Sequence, residues 1–509
     1  MQWNDLIREV TALSRTATPR TAPADAEVTG VEYDSRRVSA GSVFVAMRGG
    51  STDGNCYIDT AIKSGASGVL TDSQEAFARL AETHPHAPAA LVEHGRNALA
   101  QAAAAFYGHP ERRLRAIGVT GTNGKTTTAF LAESLLNHAS RSTILVGTIE
   151  YHVAGDVRPS AHTTPESRDL FDLMAEGVGR GATELVMEVS SHALDQGRVA
   201  GIAFDVAVFT NLTRDHLDYH RTMEEYFAAK RLLFDGTRYP APRVAVLNAD
   251  DPRTVELADA AKAAGALVVT YGLKTPADWH AEAVRLTPAG AEFLLKTPFG
   301  SVAVQSHLAG EVNVLNLLGA LAATSARGVP FEALVEAIPV LHPVPGRFQP
   351  VDAGQPFTVI VDYAHTDDAL RNLTGLARQL TGSTHGRILT LFGCGGDRDR
   401  TKRPKMGQAA GEGSDFVVVT SDNPRSEDPQ AIIDEILPGL VATGVSYAVE
   451  PDRAAAIALA LNEARSGDVV LIAGKGHEKE QILRDRTIVF DDAQVALSAL
   501  RALSYGGER

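Results

Sequence analysis

Short apolar runs recur from Leu114 onward with amphipathic stretches between them: Arg115 to Thr120, Thr143 to Thr148, Glu184 to Val189, Phe204 to Thr210 and Arg243 to Asn248. A strand that is apolar on both faces must be covered on both faces, so this alternation predicts βαβ units around a parallel sheet. The rhythm breaks at Leu341-His342-Pro343-Val344-Pro345-Gly346 and then resumes with Phe357 to Val361, Arg387 to Phe392, Asp415 to Thr420 and Asp468 to Ala473. Before Leu114 the pieces are smaller: a strand-like Ser42 to Met47 and an Ala-rich helix, Asn97 to Tyr107, closed by Gly108-His109-Pro110. We therefore expect an α/β protein of three domains, with a smaller α/β domain over 1–110, a central parallel-sheet domain over 111–343 and a Rossmann-like α/β domain over 344–509. At roughly 150 residues per domain the chain length agrees.

Charge and cysteine content narrow the chemistry. With 48 Lys and Arg against 62 Asp and Glu the net charge is -14, a field that repels phosphate polymers, so no nucleic-acid partner is expected. An anionic ligand must then be met by local positive charge. The two cysteines, Cys56 and Cys394, lack C-x-x-C spacing and suggest neither a disulfide framework nor a zinc site. The amino terminus carries charges where a signal peptide needs apolar residues, and no run of about 18 uncharged apolar residues occurs, so a cytoplasmic protein without membrane insertion is expected. A monomer is expected.

Ligands of open α/β sheets bind beyond the carboxyl ends of the strands, and those positions are polar here. Gly121-Thr122-Asn123-Gly124-Lys125-Thr126 follows a strand and opens a helix, the arrangement that turns backbone N–H groups and a helix N-terminus toward a triphosphate. The central domain thus reads as a P-loop ATPase-like domain, with Lys125 on the outer phosphates and Thr126 on magnesium. Strict Walker A spacing would put a glycine where Val119 stands. Glu188 ends an apolar run and suits a hard cation. His216 and His220 are four apart, but Leu217 stands where a zinc protease needs Glu, so that reading is set aside. Lys230 lies in the amphipathic stretch Glu224 to Phe234, a pattern that by itself places it on a solvated face. The run Gly393 to Arg403, glycine-dense and rich in arginine, suits an anionic ligand or a charged loop.

Together these residues resemble the Mur ligase family of peptidoglycan synthesis. The resemblance rests on Gly121 to Thr126, Thr163-Thr164-Pro165, Glu188 to His192, Asn211 to His216, Gly310 to Asn316, Gly346-Arg347-Phe348, Asp362 to His365, Asp422 to Arg425 and Gly474 to Glu478. It implies an ATP-dependent carboxylate–amine ligase that joins meso-diaminopimelate to UDP-N-acetylmuramoyl-L-alanyl-D-glutamate through an acyl phosphate. By that resemblance Gly121, Thr122, Asn123, Gly124, Lys125, Thr126, Thr127, Asn313, Arg347 and Asp362 serve ATP. Ser35, Thr163, Thr164, Ser190, Gln196 and Arg198 hold the nucleotide-sugar dipeptide, whereas the loop Gly49-Gly50-Ser51-Thr52 departs from the family pattern, and nucleotide contacts there are expected through its backbone. Arg398, Asp422, Asn423, Pro424, Arg425, Gly474 and Glu478 hold diaminopimelate. Lys125, Lys230 and His216 serve catalysis, and Thr126, Glu188, His216 and Lys230 serve Mg2+, Lys230 as a CO2-derived carbamate. This reverses the pattern-based reading of Lys230. Other readings stay open: a lysine-adding ligase of the same family, a folylpolyglutamate synthase-like ligase, which the N-terminal domain disfavours, and a nonenzymatic nucleotide switch, which the ligand-rich third domain disfavours.

Overall fold

The computed structural model describes residues 1–10, 26–49, 52–287, 290–381 and 385–503. Gly50 and Ser51, the middle of the expected Gly49 to Thr52 contact loop, lie outside the described residues. The chain forms two compact units, one of Met1–Trp279 with Leu318–Leu334, the other of His280–Leu317 with Val335–Arg509.

The first unit holds two sheets. Near the amino terminus, Gly30–Glu32, Ser42–Ala46, Gly68–Thr71 and Ala89–Leu91 pair in that order, all parallel. Every residue of Ser42–Ala46 is buried, which fits a strand covered on both faces. The larger sheet runs in the order Leu267–Gly272, Val244–Asn248, Val206–Phe209, Arg115–Thr120, Glu184–Glu188 and Thr143–Val146, all parallel. An antiparallel pair, Glu150–Val153 and Asp156–Pro159, extends its edge. From Arg115–Thr120 the chain goes to one side of the sheet and later returns to the other, at Val206–Phe209. The loops after Arg115–Thr120, Glu184–Glu188 and Val206–Phe209 therefore flank a switch point, where a crevice opens for ligands.

One ion cluster fastens that edge pair to the helix of the glycine loop. His152 Nδ1 lies 2.7 Å from Glu133 Oε2, on the helix Lys125–His138, and its Nε2 lies 2.9 Å from Glu150 Oε1. Burial opposes a charge there, yet hydrogen bonds and attraction from Glu133 and Glu150 outweigh it and push the imidazole up to about 9. Because the folded value lies above the unfolded one, this contribution is present in full below about pH 6.5 and is lost as pH rises through about 9. Denaturant unfolding of wild type and His152→Phe at neutral pH and above pH 9 is expected to show up to about 3 kcal/mol of extra pH-dependent loss in wild type. Parallel pH profiles would contradict this.

In the second unit Gln349–Pro350, Thr358–Asp362, Val469–Ala473, Ile388–Phe392, Phe416–Val419 and Ser446–Val449 pair in that order, parallel except for the first pair. Apolar clusters cover both faces of this sheet, around Met406 and Ile433 on one side and around Ile457 and Leu500 on the other. The strand Trp279–Thr287, which belongs to this unit from His280 onward, forms an antiparallel meander with Gly290–Thr297 and Gly300–Ser306. Among the described residues no helix is long and apolar enough to cross a membrane.

Candidate active site

In the first unit the loop between Thr120 and the helix Lys125–His138 is laced to the loop that follows Val206–Phe209. Asn211 O accepts from Thr122 N at 2.8 Å, Asn211 Oδ1 accepts from Asn123 N at 2.9 Å, and Thr210 Oγ1 donates to Asn123 O at 2.6 Å. Gly121 has a φ of +149°, and a Cβ there would lie 1.9 Å from Thr210 Oγ1, so no other residue allows this close approach. Lys125 Nζ donates back to Gly121 O at 3.0 Å and Thr122 O at 2.8 Å, while Thr126 and Thr127 are buried in the first helical turn.

Glu188 is wholly buried and collects donors. Thr126 Oγ1 reaches its Oε2 at 3.0 Å, and Thr148 supplies its N–H to Oε1 at 2.7 Å and its hydroxyl to Oε2 at 3.1 Å. Thr148 was not among the expected site residues, although its place at the end of an apolar run was the available signal. Its hydroxyl also meets Thr163 Oγ1 at 3.0 Å.

Lys230 corrects the solvated-face expectation. It is 1% exposed, donates to Gly121 O at 2.7 Å and lies 4.4 Å from the centre of the Tyr226 ring. Lys125 and Lys230 thus converge on one carbonyl oxygen. Burial, reinforced by the Lys125 charge and only partly countered by Asp215, holds the Lys230 amine well below the ordinary lysine range. His216 sits at a left-handed φ of 53°, with ring centres 4.9 Å from His192 and 5.9 Å from Tyr226. Burial brings its imidazole down to about 4 despite Asp215, so it is neutral at physiological pH. Such a backbone outlier costs energy and tends to persist where surroundings demand it. His220 is buried against Ser191 Oγ at 2.9 Å, a structural place.

Among the described residues no three His, Cys, Asp or Glu side chains cluster as a metal site. Magnesium held chiefly by phosphates needs only one or two protein ligands, and Thr126 and Glu188 offer hard oxygens 3.0 Å apart. The donor set fits that use.

The expected dipeptide residues also come together. Thr164 Oγ1 donates to Glu188 O at 2.8 Å and accepts from Ser190 N at 3.1 Å, while Arg198 donates to Thr164 O at 2.9 Å and to Gln196 Oε1 at 2.8 Å. Arg198 and Arg96 each lie 3.3 Å from Glu166 Oε1, and Arg96 too escaped sequence reasoning. Ser35 is half-buried in a turn beside Tyr33, whose hydroxyl donates to Asp169 on the helix Ser167–Gly179 at 2.8 Å. A cavity of about 430 Å³ is lined by Arg48, His94, Arg96, Gln196 and Tyr219, among others.

In the second unit, Asp362 accepts the N–H groups of Phe348 at 2.7 Å and Ala364 at 2.9 Å, and desolvation raises its carboxyl against the pull of Arg347. Arg347 lies over the Tyr363 ring at 4.7 Å. Asn313 donates to Ala309 O at 2.9 Å. The loops after Ile388–Phe392, Phe416–Val419 and Val469–Ala473 carry the remaining expected residues. A Cβ on Gly395 would lie 3.0 Å from Arg425 Nη1 and 3.8 Å from Arg398 Cγ, so both arginines border that glycine. Arg425, at a left-handed φ of 52°, donates to Gly396 O at 2.8 Å, and so is already partly engaged rather than wholly available as a free fork. Gly474 has a φ of +113°, and a Cβ there would approach Asp422 Oδ2 to 2.7 Å. Glu478 accepts from Asn423 Nδ2 at 2.7 Å, and Pro424 is buried at the turn between Asn423 and Arg425. Beneath these loops Arg453, fully buried with Asp492, donates to Ala473 O at 3.0 Å and Ser421 O at 3.4 Å, steadying the end of Val469–Ala473 and the loop after Phe416–Val419.

Three family descriptions match successive stretches: Mur ligase family, catalytic domain over 27–107, Mur ligase middle domain over 119–324, and Mur ligase, glutamate ligase domain over 346–476. A protein of Solibacter usitatus named UDP-N-acetylmuramoyl-L-alanyl-D-glutamate–2,6-diaminopimelate ligase is 50% identical over 95% of each chain. A protein of the same name from Geobacillus thermodenitrificans is 46% identical over 93% of this chain and 95% of its own. A solved structure with that name is 34% identical, with a TM-score of 0.68 and coverage of 94% of this chain and 95% of the other.

Proposed function

Since the chain belongs to the Mur ligase family, we propose that it is the ATP-dependent ligase that adds meso-diaminopimelate to UDP-N-acetylmuramoyl-L-alanyl-D-glutamate in cytoplasmic peptidoglycan precursor synthesis. The observation that carries this reading is the meeting of Lys125 and Lys230 on Gly121 O at the mouth of a phosphate-binding loop, beside the Thr126–Glu188 pair. The start of the helix Lys125–His138, reached through the glycine turn, suits a triphosphate, and Lys125 offsets charge on the transferring phosphoryl group. Thr126 and Glu188 would hold Mg2+, which would offset negative charge on the phosphates. Asn313, Arg347 and Asp362 serve the nucleotide.

The D-glutamyl side-chain carboxylate takes the γ-phosphoryl group and ADP leaves. The amine of diaminopimelate then attacks the acyl phosphate, forming the amide and releasing phosphate. Thr163, Thr164, Ser190, Gln196 and Arg198, with Ser35 and the Arg48–Tyr219 cavity, suit a nucleotide-sugar carrying a carboxylate-bearing dipeptide. Arg398, Arg425 and Glu478 offer two cations and an anion to the distal zwitterion of diaminopimelate, supported by Asp422, Asn423, Pro424 and Gly474. Neutral His216, edge-on to Tyr226, is available as a hydrogen-bonding group for the phosphates. The division at 110 and 343 remains part of this reading, supported by the three successive family matches.

The low proton affinity of Lys230 supports its carbamylation: a neutral amine adds to CO2, forming an N–C bond and releasing one proton, and the product is an anion able to assist magnesium. Lys230→Ala is expected to lose activity on the order of 10²-fold or more and to regain part of it with short carboxylic acids. Normal kinetics in this variant would remove Lys230 from the chemistry. For the function as a whole, ADP release is expected only with ATP, the nucleotide-sugar dipeptide and diaminopimelate together. Turnover with L-lysine or a folate in their place would overturn the assignment.

A further inference from the structure

Lys475 stands in none of the roles described so far, yet its ammonium is tied into a polar knot of the second unit. Its side chain has no exposure, whereas that of its partner Glu478 is 32% exposed. A buried ammonium is costly unless each N–H finds an acceptor, and its three N–H bonds have three partners. They are Asn423 Oδ1 at 3.1 Å, Glu478 Oε2 at 3.0 Å and Glu480 O at 2.6 Å.

The same knot fixes its neighbours. Asn423 Oδ1 also accepts from Ile482 N at 2.9 Å, and Asn423 Nδ2 donates to Glu478 Oε2 at 2.7 Å. Flipping this amide would turn its NH2 toward an ammonium and a backbone N–H, so only one orientation satisfies the site. Glu478 receives both bonds on Oε2, and its Oε1 has no hydrogen bond among the described residues. One carboxylate oxygen is thereby pinned and the other left open on the half-exposed side chain. Asn423 in turn precedes Pro424 and Arg425, so the lysine links the anion that faces an amine to the turn that carries the guanidinium.

We propose that Lys475 is a positioning residue for amino-acid recognition, holding Glu478 and the Asn423–Arg425 turn in the one arrangement that receives the distal ammonium and carboxylate of diaminopimelate. This rests on the reading of the site given under Proposed function. A group held by such a network gains in precision what it gives up in freedom, and a small misplacement weakens a charge-assisted bond disproportionately.

The test is steady-state kinetics of full-length Lys475→Met, an uncharged side chain of similar length. The KM for diaminopimelate is expected to rise on the order of 10- to 100-fold, the scale of one misaimed charge-assisted bond, with the KM values for ATP and nucleotide-sugar changed less than about twofold. In a Glu478→Gln background the same substitution is expected to add clearly less than in wild type, because a large part of its effect acts through Glu478. An unchanged KM for diaminopimelate, an equal rise in all three KM values, or full additivity with Glu478→Gln would overturn the proposal. If Lys475→Met fails to melt cooperatively, Lys475→Gln, which keeps N–H donors on a shorter stem, is expected to show a smaller rise in the same single KM. Failure of both to fold would reduce Lys475 to a core-stability residue and overturn the proposal as well. A wild-type protein without diaminopimelate-dependent ADP release would instead defeat the functional reading itself, separately from these outcomes.

Discussion

Replacing Lys125 with Ala is expected to lower kcat about 10³-fold or more while leaving the protein folded. Its ammonium donates to two carbonyls of its own loop, Gly121 O and Thr122 O, which are local contacts. Alanine is also the best helix former, and position 125 begins the helix Lys125–His138. What the substitution removes is a cation placed where charge develops during phosphoryl transfer. A single preorganised donor of that kind is worth on the order of 10²- to 10³-fold, and a full charge on a transferring phosphoryl group more. The change also removes one of the influences that depress Lys230, whose amine should then hold its proton more tightly. ADP release measured beside a thermal unfolding curve decides the matter. A folded Lys125→Ala protein with full turnover would detach this loop from ATP.

The second large effect concerns the choice of amino acid. Diaminopimelate carries on its distal carbon a carboxylate that lysine lacks, and Arg425 and Arg398 border the same glycine, Gly395. A guanidinium positioned for that carboxylate is left without its partner when lysine binds, and sites built around such a polar group reject the lacking analogue by on the order of 10⁴-fold. Because one nitrogen of Arg425 already donates to Gly396 O, the turn is preorganised rather than free to swing away. Wild type is expected to prefer diaminopimelate by about that factor in kcat/KM. Arg425→Ala is expected to lose most of its diaminopimelate activity with little change toward lysine. Equal use of the two amino acids by wild type would refute the specificity argument.

Of the expected strands, Arg115 to Thr120 coincides residue for residue with the observed element, and the others differ only at their ends. Such strands are buried on both faces, so burial writes itself into the sequence as an unbroken apolar run. The antiparallel pieces went unforeseen. Glu150–Val153 and Asp156–Pro159 include polar and exposed positions, and in Trp279–Thr287 polar residues alternate with apolar ones, so no continuous apolar run marks them.

The glycine loop, the residues after each strand and the family to which the chain belongs were legible in the sequence, because close backbone approach and strand-end polarity are local properties that specific residues must satisfy. The environment of Lys230 was not. Helical periodicity says which residues share a face of Met223–Arg231 but not what covers that face, and the carbonyl that receives the Lys230 amine belongs to Gly121, far away in sequence. Thr148 on Glu188, Glu133 against His152 and Lys475 beneath Asn423 are the same kind of fact. Each joins groups from different stretches of the chain, and burial and proton affinity follow from that meeting. The sequence by itself determined the doubly buried strands marked by apolar runs, the phosphate loop and the catalogue of polar strand ends. Only the tertiary structure decided which of those groups are desolvated, which oxygen each amine touches and which carboxylate oxygen is left open, because charge and solvation depend on distance in space rather than along the chain.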